Sequence, residues 1–175
     1  MLKDIRWFLT RRWGPISMSL KKLYLETTIP SYLLAKPSRD ILVLGRQEIT
    51  RRWWKRDHAA FSVFISDLVL SESSSGDKKA AEKRRNFLSA FPLLELNADV
   101  EHLAQLYIDD GIVPPGSAGD ATHLAYASIH EMDFLCTWNF RHLANAFALL
   151  RLRKFNEKFG IFVPHVCTPE ELLGE

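Results

Sequence analysis

The chain has only two cysteines among its 175 residues, Cys136 and Cys167, far apart in the sequence. Neither belongs to a CxxC or Cys/His spacing, which removes the usual framework for a structural zinc site. Two lone cysteines do not make a disulfide scaffold either, and they read as reduced thiols of a cytoplasmic protein. No run of about 18 apolar residues occurs, so no membrane-spanning helix is expected. The first 17 residues, MLKDIRWFLTRRWGPIS, are basic and aromatic. Their longest apolar run, Trp7 to Leu9, is too short for a signal peptide. A dominant charge sign is lacking as well: 23 Lys and Arg against 21 Asp and Glu leave a net charge of +2. That balance permits a nucleic-acid partner without arguing for one. A GxSxG context for acyl transfer and a phosphate-binding P-loop are both missing.

What remains is an ordinary globular composition, 47% hydrophobic and 25% charged, in a length that suits one domain. Met18 stands just before the first convincing strand. Residues 1–19 therefore read as an appendage, disordered or added by an upstream start codon, ahead of a domain spanning 20–175. Strand and helix patterns then alternate, which predicts an α/β fold with a parallel sheet covered on both faces.

The spacing predicts strands at Lys22–Glu26, Phe61–Ile65, Pro92–Leu96, Phe134–Thr137 and Ile161–Val163. Between them it predicts helices over Asp40–Ala60, Asp67–Ser73, Asp77–Ala90, Val100–Tyr107 and Ala118–Glu131. Ser66 is the expected cap of the second of these, and Pro30 suits the first turn of a helix after the first strand. Ser117 with Asp120 three residues on is close to a capping box. Phe140, Leu143, Ala144, Phe147 and Ala148 have the spacing of a helix's inner stripe. Thr168-Pro169-Glu170-Glu171 reads as the start of a short terminal helix.

The carboxylates are informative by position. Glu26 closes the first strand, Glu72 lies on the short helix after the second, and Asp120 opens a later helix. Asn139 follows the fourth strand. In an open parallel sheet, ligands bind outside the carboxyl ends of the strands, so residues at those ends converge on one edge. Clustered carboxylates repel by about 4 kcal/mol per close pair at an effective dielectric of 20, unless a cation neutralises them. Oxygen ligands favour Mg²⁺ or Mn²⁺, and such a site is equipped for phosphodiester hydrolysis with a metal-activated water. Glu26 is the strongest candidate, because a carboxylate following Leu23-Tyr24-Leu25 in a central strand needs a reason. Taken singly, Asp120 also suits a helix dipole, Glu72 a solvated helix face, and Asn139 an N-cap.

These residues lie in segments that resemble PIN domains: LYLETTIPSYL (23–33), SDLVLSE (66–72) and DATHLAYASIHEMDFLCTWNFRHLAN (120–145). More narrowly they are similar to the VapC-type toxins of bacterial toxin–antitoxin pairs, over about residues 20–173. The resemblance implies a three-layer α/β/α sandwich around a parallel sheet and a Mg²⁺- or Mn²⁺-dependent endoribonuclease leaving 5′-phosphate and 3′-hydroxyl ends. It assigns the metal to Glu26, Glu72 and Asp120. It assigns supporting roles to Thr27 beside the first acid and to Asn139 at the usual position of a fourth acid. It also implies a cognate antitoxin and a homodimer. Two departures stand out: Glu26 replaces the usual aspartate, and the neutral Asn139 replaces an acid. They leave open a catalytically inactive RNA- or protein-binding module, beside the third possibility of a DNA-directed nuclease.

Three other features bear on function. The run Arg51-Arg52-Trp53-Trp54-Lys55-Arg56 suits an RNA backbone, an antitoxin, or a solvated helix with one buried tryptophan. His123 shares a helix face with Asp120 and reads first as a packing residue. His142 approaches the site through Asn139.

Overall fold

The computed structural model describes Leu20–Gly174. Residues 1–19, read above as an appendage, lie outside the described residues, as does Glu175. Five parallel strands form one sheet in the order β3-β2-β1-β4-β5. They are β1 (Lys21–Leu25), β2 (Phe61–Ser66), β3 (Leu93–Leu94), β4 (Phe134–Cys136) and β5 (His165–Cys167). Among the described residues, seven α-helices accompany them: α1 (Thr28–Leu34), α2 (Ile41–Arg56), α3 (Asp67–Ser73), α4 (Lys78–Leu88), α5 (Ala98–Asp109), α6 (Ala118–Ile129) and α7 (Ala146–Phe159). The fold is the expected α/β sandwich with a central parallel sheet.

The central strand explains itself. Leu23, Tyr24 and Leu25 are all fully buried, as a strand covered on both faces requires. Leu23 pairs with Val63 on one side and Phe134 on the other. The chain winds outward from β1 through β2 to β3, then crosses back to β4 and β5. Right-handed crossovers put α1–α4 on one face and α5–α7 on the other. Accordingly α1 packs on α2 and α4, and α5 packs on α6. The winding reverses between β1 and β4, so the carboxyl ends of these two strands border the switch-point crevice.

Local signals account for most helix starts. Asp40, Ser66, Asp77, Asn97 and Asn145 each accept hydrogen bonds from the first-turn amides of α2, α3, α4, α5 and α7. Gly160, at φ +66°, ends α7 in the left-handed conformation.

Four local expectations need correction. The helix expected over Asp40–Ala60 ends at Arg56, and a 3₁₀ turn at His58–Ala60 leads into β2. The stripe from Phe140 to Ala148 is not one helix. The amides of Leu143 and Ala144 both bond to Asn139 O, closing a turn, and Asn145 then caps a fresh helix. Leu143 and Ala148 are buried, whereas Phe140 and Phe147 face solvent. The last strand is His165–Cys167, not Ile161–Val163. Ile161 N donates to Asn156 O, and Phe162 O accepts from the buried Asn156 Nδ2 at 2.7 Å, so this segment is tied to α7. Finally, Thr168 donates through N and Oγ1 to Glu171 Oε2, but the chain makes a capped turn there and no helix.

The two cysteines are distant in sequence but paired in register across β4 and β5, both buried and unbridged. Burial pushes the Cys136 thiol well up, so it stays protonated and inert.

Candidate metal centre

Glu26 leaves β1 at the switch point. Its side chain is 5% exposed, so its charge has to be answered nearby. Three donors converge on Oε2: Thr28 N at 3.0 Å, Thr137 Oγ1 at 2.8 Å, and the Thr28 hydroxyl. The same hydroxyls then accept from the next strand's exit. Thr28 Oγ1 accepts from Trp138 N and Thr137 Oγ1 from Asn139 N, each at 2.9 Å. The ends of β1 and β4 are thus sewn together around one carboxylate.

Glu72 comes from α3 and reaches solvent, its side chain being 38% exposed. Its Oε2 accepts from the Thr27 hydroxyl and lies 3.2 Å from His123 Nε2. The bond to His123 chiefly, and that to Thr27, hold this carboxyl below the usual glutamate range against a desolvation that pushes it up. Gly119, in the first turn of α6, makes room for it: a Cβ there would stand 3.1 Å from Glu72 Oε1.

Asp120 sits beside Gly119 and is half-buried. Desolvation pushes its carboxyl up from the usual aspartate range, while His142 and His123 pull it down more weakly. Its partner is Asn139, whose Nδ2 donates to Oδ1 at 2.7 Å. Asn139 Oδ1 in turn accepts from His142 N at 3.2 Å, so this side chain caps a turn where a helix N-cap was the sequence's alternative. The expected capping box does not form. Ser117 makes no side-chain cap, and its amide bonds instead to Pro114 O.

The sequence-predicted residues therefore gather at one edge in two groups. Glu26 and Glu72 come together with Thr27, and Asp120 pairs with Asn139. The ligand atoms of Glu26, Glu72 and His123 lie within 4.8 Å of one another, a set that leaves Asp120 outside. His123 is the residue sequence reasoning undervalued. It is 1% exposed and bonded through both ring nitrogens, with Nδ1 2.8 Å from the Tyr24 hydroxyl. The only hint of this in the sequence was its spacing from Asp120.

The Arg51–Arg56 run behaves as a solvated helix with one buried tryptophan. Trp53 is fully buried, Trp54 stacks on His58 and packs against Phe87 and Phe91, and Arg51 bonds to Ala35 O. No helix among the described residues is long and apolar enough to cross a membrane.

No family model and no curated protein match the chain. Among solved structures, it is similar to VapC20 of Mycobacterium tuberculosis, described as a sarcin–ricin loop cleaving toxin. That likeness has a TM-score of 0.54 and 19% identity, and covers 71% of this chain and 95% of that one. VapBC2 from Rickettsia felis, bound to a DNA fragment from its promoter, aligns at a TM-score of 0.47 with 18% identity, over 83% of this chain and 97% of that one. The fold that carries this site is the PIN-domain, VapC-like fold.

Proposed function

We propose that the chain is a divalent-metal-dependent endoribonuclease, the toxin of a toxin–antitoxin pair. The observation that carries this reading is the meeting of Glu26, Glu72 and His123 at the switch-point edge of the sheet, with Asp120 held beside them by Asn139. The donor set suits a small divalent cation, since two carboxylates and an imidazole offer atoms within 4.8 Å of one another. Mg²⁺ or Mn²⁺ held there would lower the pKa of a water and stabilise charge on the phosphate.

The chain's own residues do the rest. Glu26 and Glu72 would hold the cation, and Asp120 would hold it directly or through a water. Thr27 fixes Glu72 and Asn139 fixes Asp120, and both are in reach of waters or a phosphate oxygen. Basic side chains line two concave surfaces near this edge of the fold. Arg141, His142 and Arg151 line a hollow of about 280 Å³ beyond Asn139. Lys36, Lys79, Lys83 and Arg84 line a groove of about 550 Å³ between the end of α1 and the start of α4. Such groups suit contacts to a polyanion's phosphates. The RNA substrate is further supported by the likeness to VapC20, described as a sarcin–ricin loop cleaving toxin; a cognate antitoxin and a homodimer belong to the same proposal.

Two observations favour a second reading, a PIN-like module that binds RNA or protein without cleaving. Glu26 Oε2 is fully engaged by three donors, and the neutral Asn139 removes an acid from the edge. Incubating the protein with equal amounts of single-stranded RNA and DNA, at millimolar Mg²⁺ or Mn²⁺, separates the readings. The nuclease reading expects RNA products with 5′-phosphates; DNA cut in preference, or RNA bound and left whole, overturns it.

A further inference from the structure

We propose that His123 is a nitrogen ligand of the cation held by Glu26 and Glu72, and that the buried hydroxyls of Tyr24 and Ser66 accommodate the tautomer that frees Nε2 for it. The inference rests on the metal-dependent reading above and adds a donor that a carboxylate-only site lacks. Its consequence is a preference for Mn²⁺ over Mg²⁺, because imidazole binds later first-row metals better than it binds Mg²⁺.

The geometry supports a ligand more than a packing residue. His123 comes from α6, is almost completely buried, and aims Nε2 at the most exposed carboxylate of the cluster. Two donors on opposite sides of one ion stand roughly 4.2 Å apart at the usual metal–ligand distances. The three donor atoms, within 4.8 Å of one another, need only a small contraction to share one ion. Nor does the rearrangement orphan any acceptor. Glu72 Oε2 keeps the Thr27 hydroxyl when it gives up His123. The bonds to Glu26 all fall on Oε2, which leaves Oε1 for the cation.

Binding through Nε2 requires the tautomer protonated at Nδ1, and the groups behind the ring permit it. Nδ1 faces the Tyr24 hydroxyl at 2.8 Å, and that hydroxyl lies 2.7 Å from Ser66 Oγ. In one arrangement Ser66 donates to Tyr24 and Tyr24 donates to Nδ1, leaving the proton on Nε2. In the other, Nδ1–H donates to Tyr24 and Tyr24 donates to Ser66. The exchange is proton-neutral: Nε2 releases one proton to water, Nδ1 takes one up, and the hydroxyl protons turn. Every buried acceptor is met in both states: Ser66 Oγ, which already accepts from Val69 N, accepts from Tyr24 as well in the second, and its own proton turns away from Tyr24.

Pulsed electron paramagnetic resonance on untagged, Mn²⁺-loaded protein tests this directly, read beside Mn²⁺ and Mg²⁺ binding isotherms for the wild type and His123→Gln. The wild type is expected to show a ¹⁴N coupling to Mn²⁺ that the variant lacks. Mn²⁺ affinity is expected to fall by about tenfold or more in the variant, with a smaller change for Mg²⁺. Mn²⁺ bound to the wild type without nitrogen coupling overturns the inference and leaves the metal-dependent reading standing. No binding of either ion overturns both.

Discussion

The side-chain amide of Asn139 donates to Asp120 Oδ1 at 2.7 Å, so the residue that replaces an expected fourth acid serves to hold the third. A carboxylate at 139 would keep the bond to His142 N but could only repel Asp120. Asn139→Asp is therefore expected to destabilise the metal-free protein by about 1–3 kcal/mol, the cost of losing a hydrogen bond to a charged group and adding a like charge. Added Mn²⁺ should raise its melting temperature more than it raises that of the wild type. Thermal melts in EDTA and in Mn²⁺ check both statements; a variant as stable as the wild type in EDTA contradicts them.

The opposed shifts of two carboxyls give a pH signature. Asp120 holds its proton to higher pH when folded than when unfolded, so in the window just above the usual aspartate range the native state binds more protons. Its contribution to stability therefore falls as pH rises through that window. Glu72 is held down, so its contribution is present above the usual glutamate range and is lost as pH falls through the folded value. Asp120→Asn removes the first effect and retains an oxygen for Asn139 Nδ2. Urea unfolding in EDTA should find this variant at least as stable as the wild type near neutral pH, with the gap closing as the solution is acidified.

Gly119 has a role that its helical position does not suggest. Gly119→Ala should leave the melting temperature unchanged or higher, since alanine favours a helix by up to ~1 kcal/mol over glycine. The new Cβ would press on Glu72 Oε1 from 3.1 Å, and Glu72 must move by a few tenths of an ångström. Metal-dependent cleavage should drop by roughly tenfold, in line with the sensitivity of such sites to small misplacements. Full activity in this variant would mean that Glu72 does not act from where it stands.

Thr137 is fully buried and links Glu26 Oε2 to Asn139 N. Thr137→Val keeps the shape but removes both bonds, at about 1–3 kcal/mol for the unsatisfied groups. Thr137→Ser keeps the hydroxyl and should recover most of the loss. Denaturant midpoints and Mn²⁺ affinity of the pair would show it; equal values for Val and Ser would place the role in packing alone.

These relationships divide the molecule by how far each signal travels along the chain. The strand expected at Lys22–Glu26 and the cap expected at Ser66 rest on signals that act over a few residues, and both were readable. So was the meeting of Glu26 and Glu72, because strand order and the switch-point rule bring strand ends together. The bonds of His123 were not, since its Nδ1 partner Tyr24 is 99 residues away and its Nε2 partner Glu72 is 51 away. The break at Asn139 was hidden for a related reason. The apolar spacing from Phe140 to Ala148 runs straight across a turn that backbone bonds to Asn139 O impose. The position of β5 likewise depends on Asn156, a buried side chain on the preceding helix that restrains Phe162.

Under the proposed function, the carboxylate edge cleaves RNA through a bound divalent cation. The most direct test is cleavage of a mixed structured-RNA pool by purified protein freed of any antitoxin, with Mg²⁺ or Mn²⁺ present, chelated, and restored. Asp120→Asn is run alongside. The account predicts cleavage by the wild type that stops with EDTA, returns with added metal, and is missing from a folded Asp120→Asn variant. Cleavage that survives EDTA or the variant, or a folded wild type that binds RNA and never cuts it, would contradict the account.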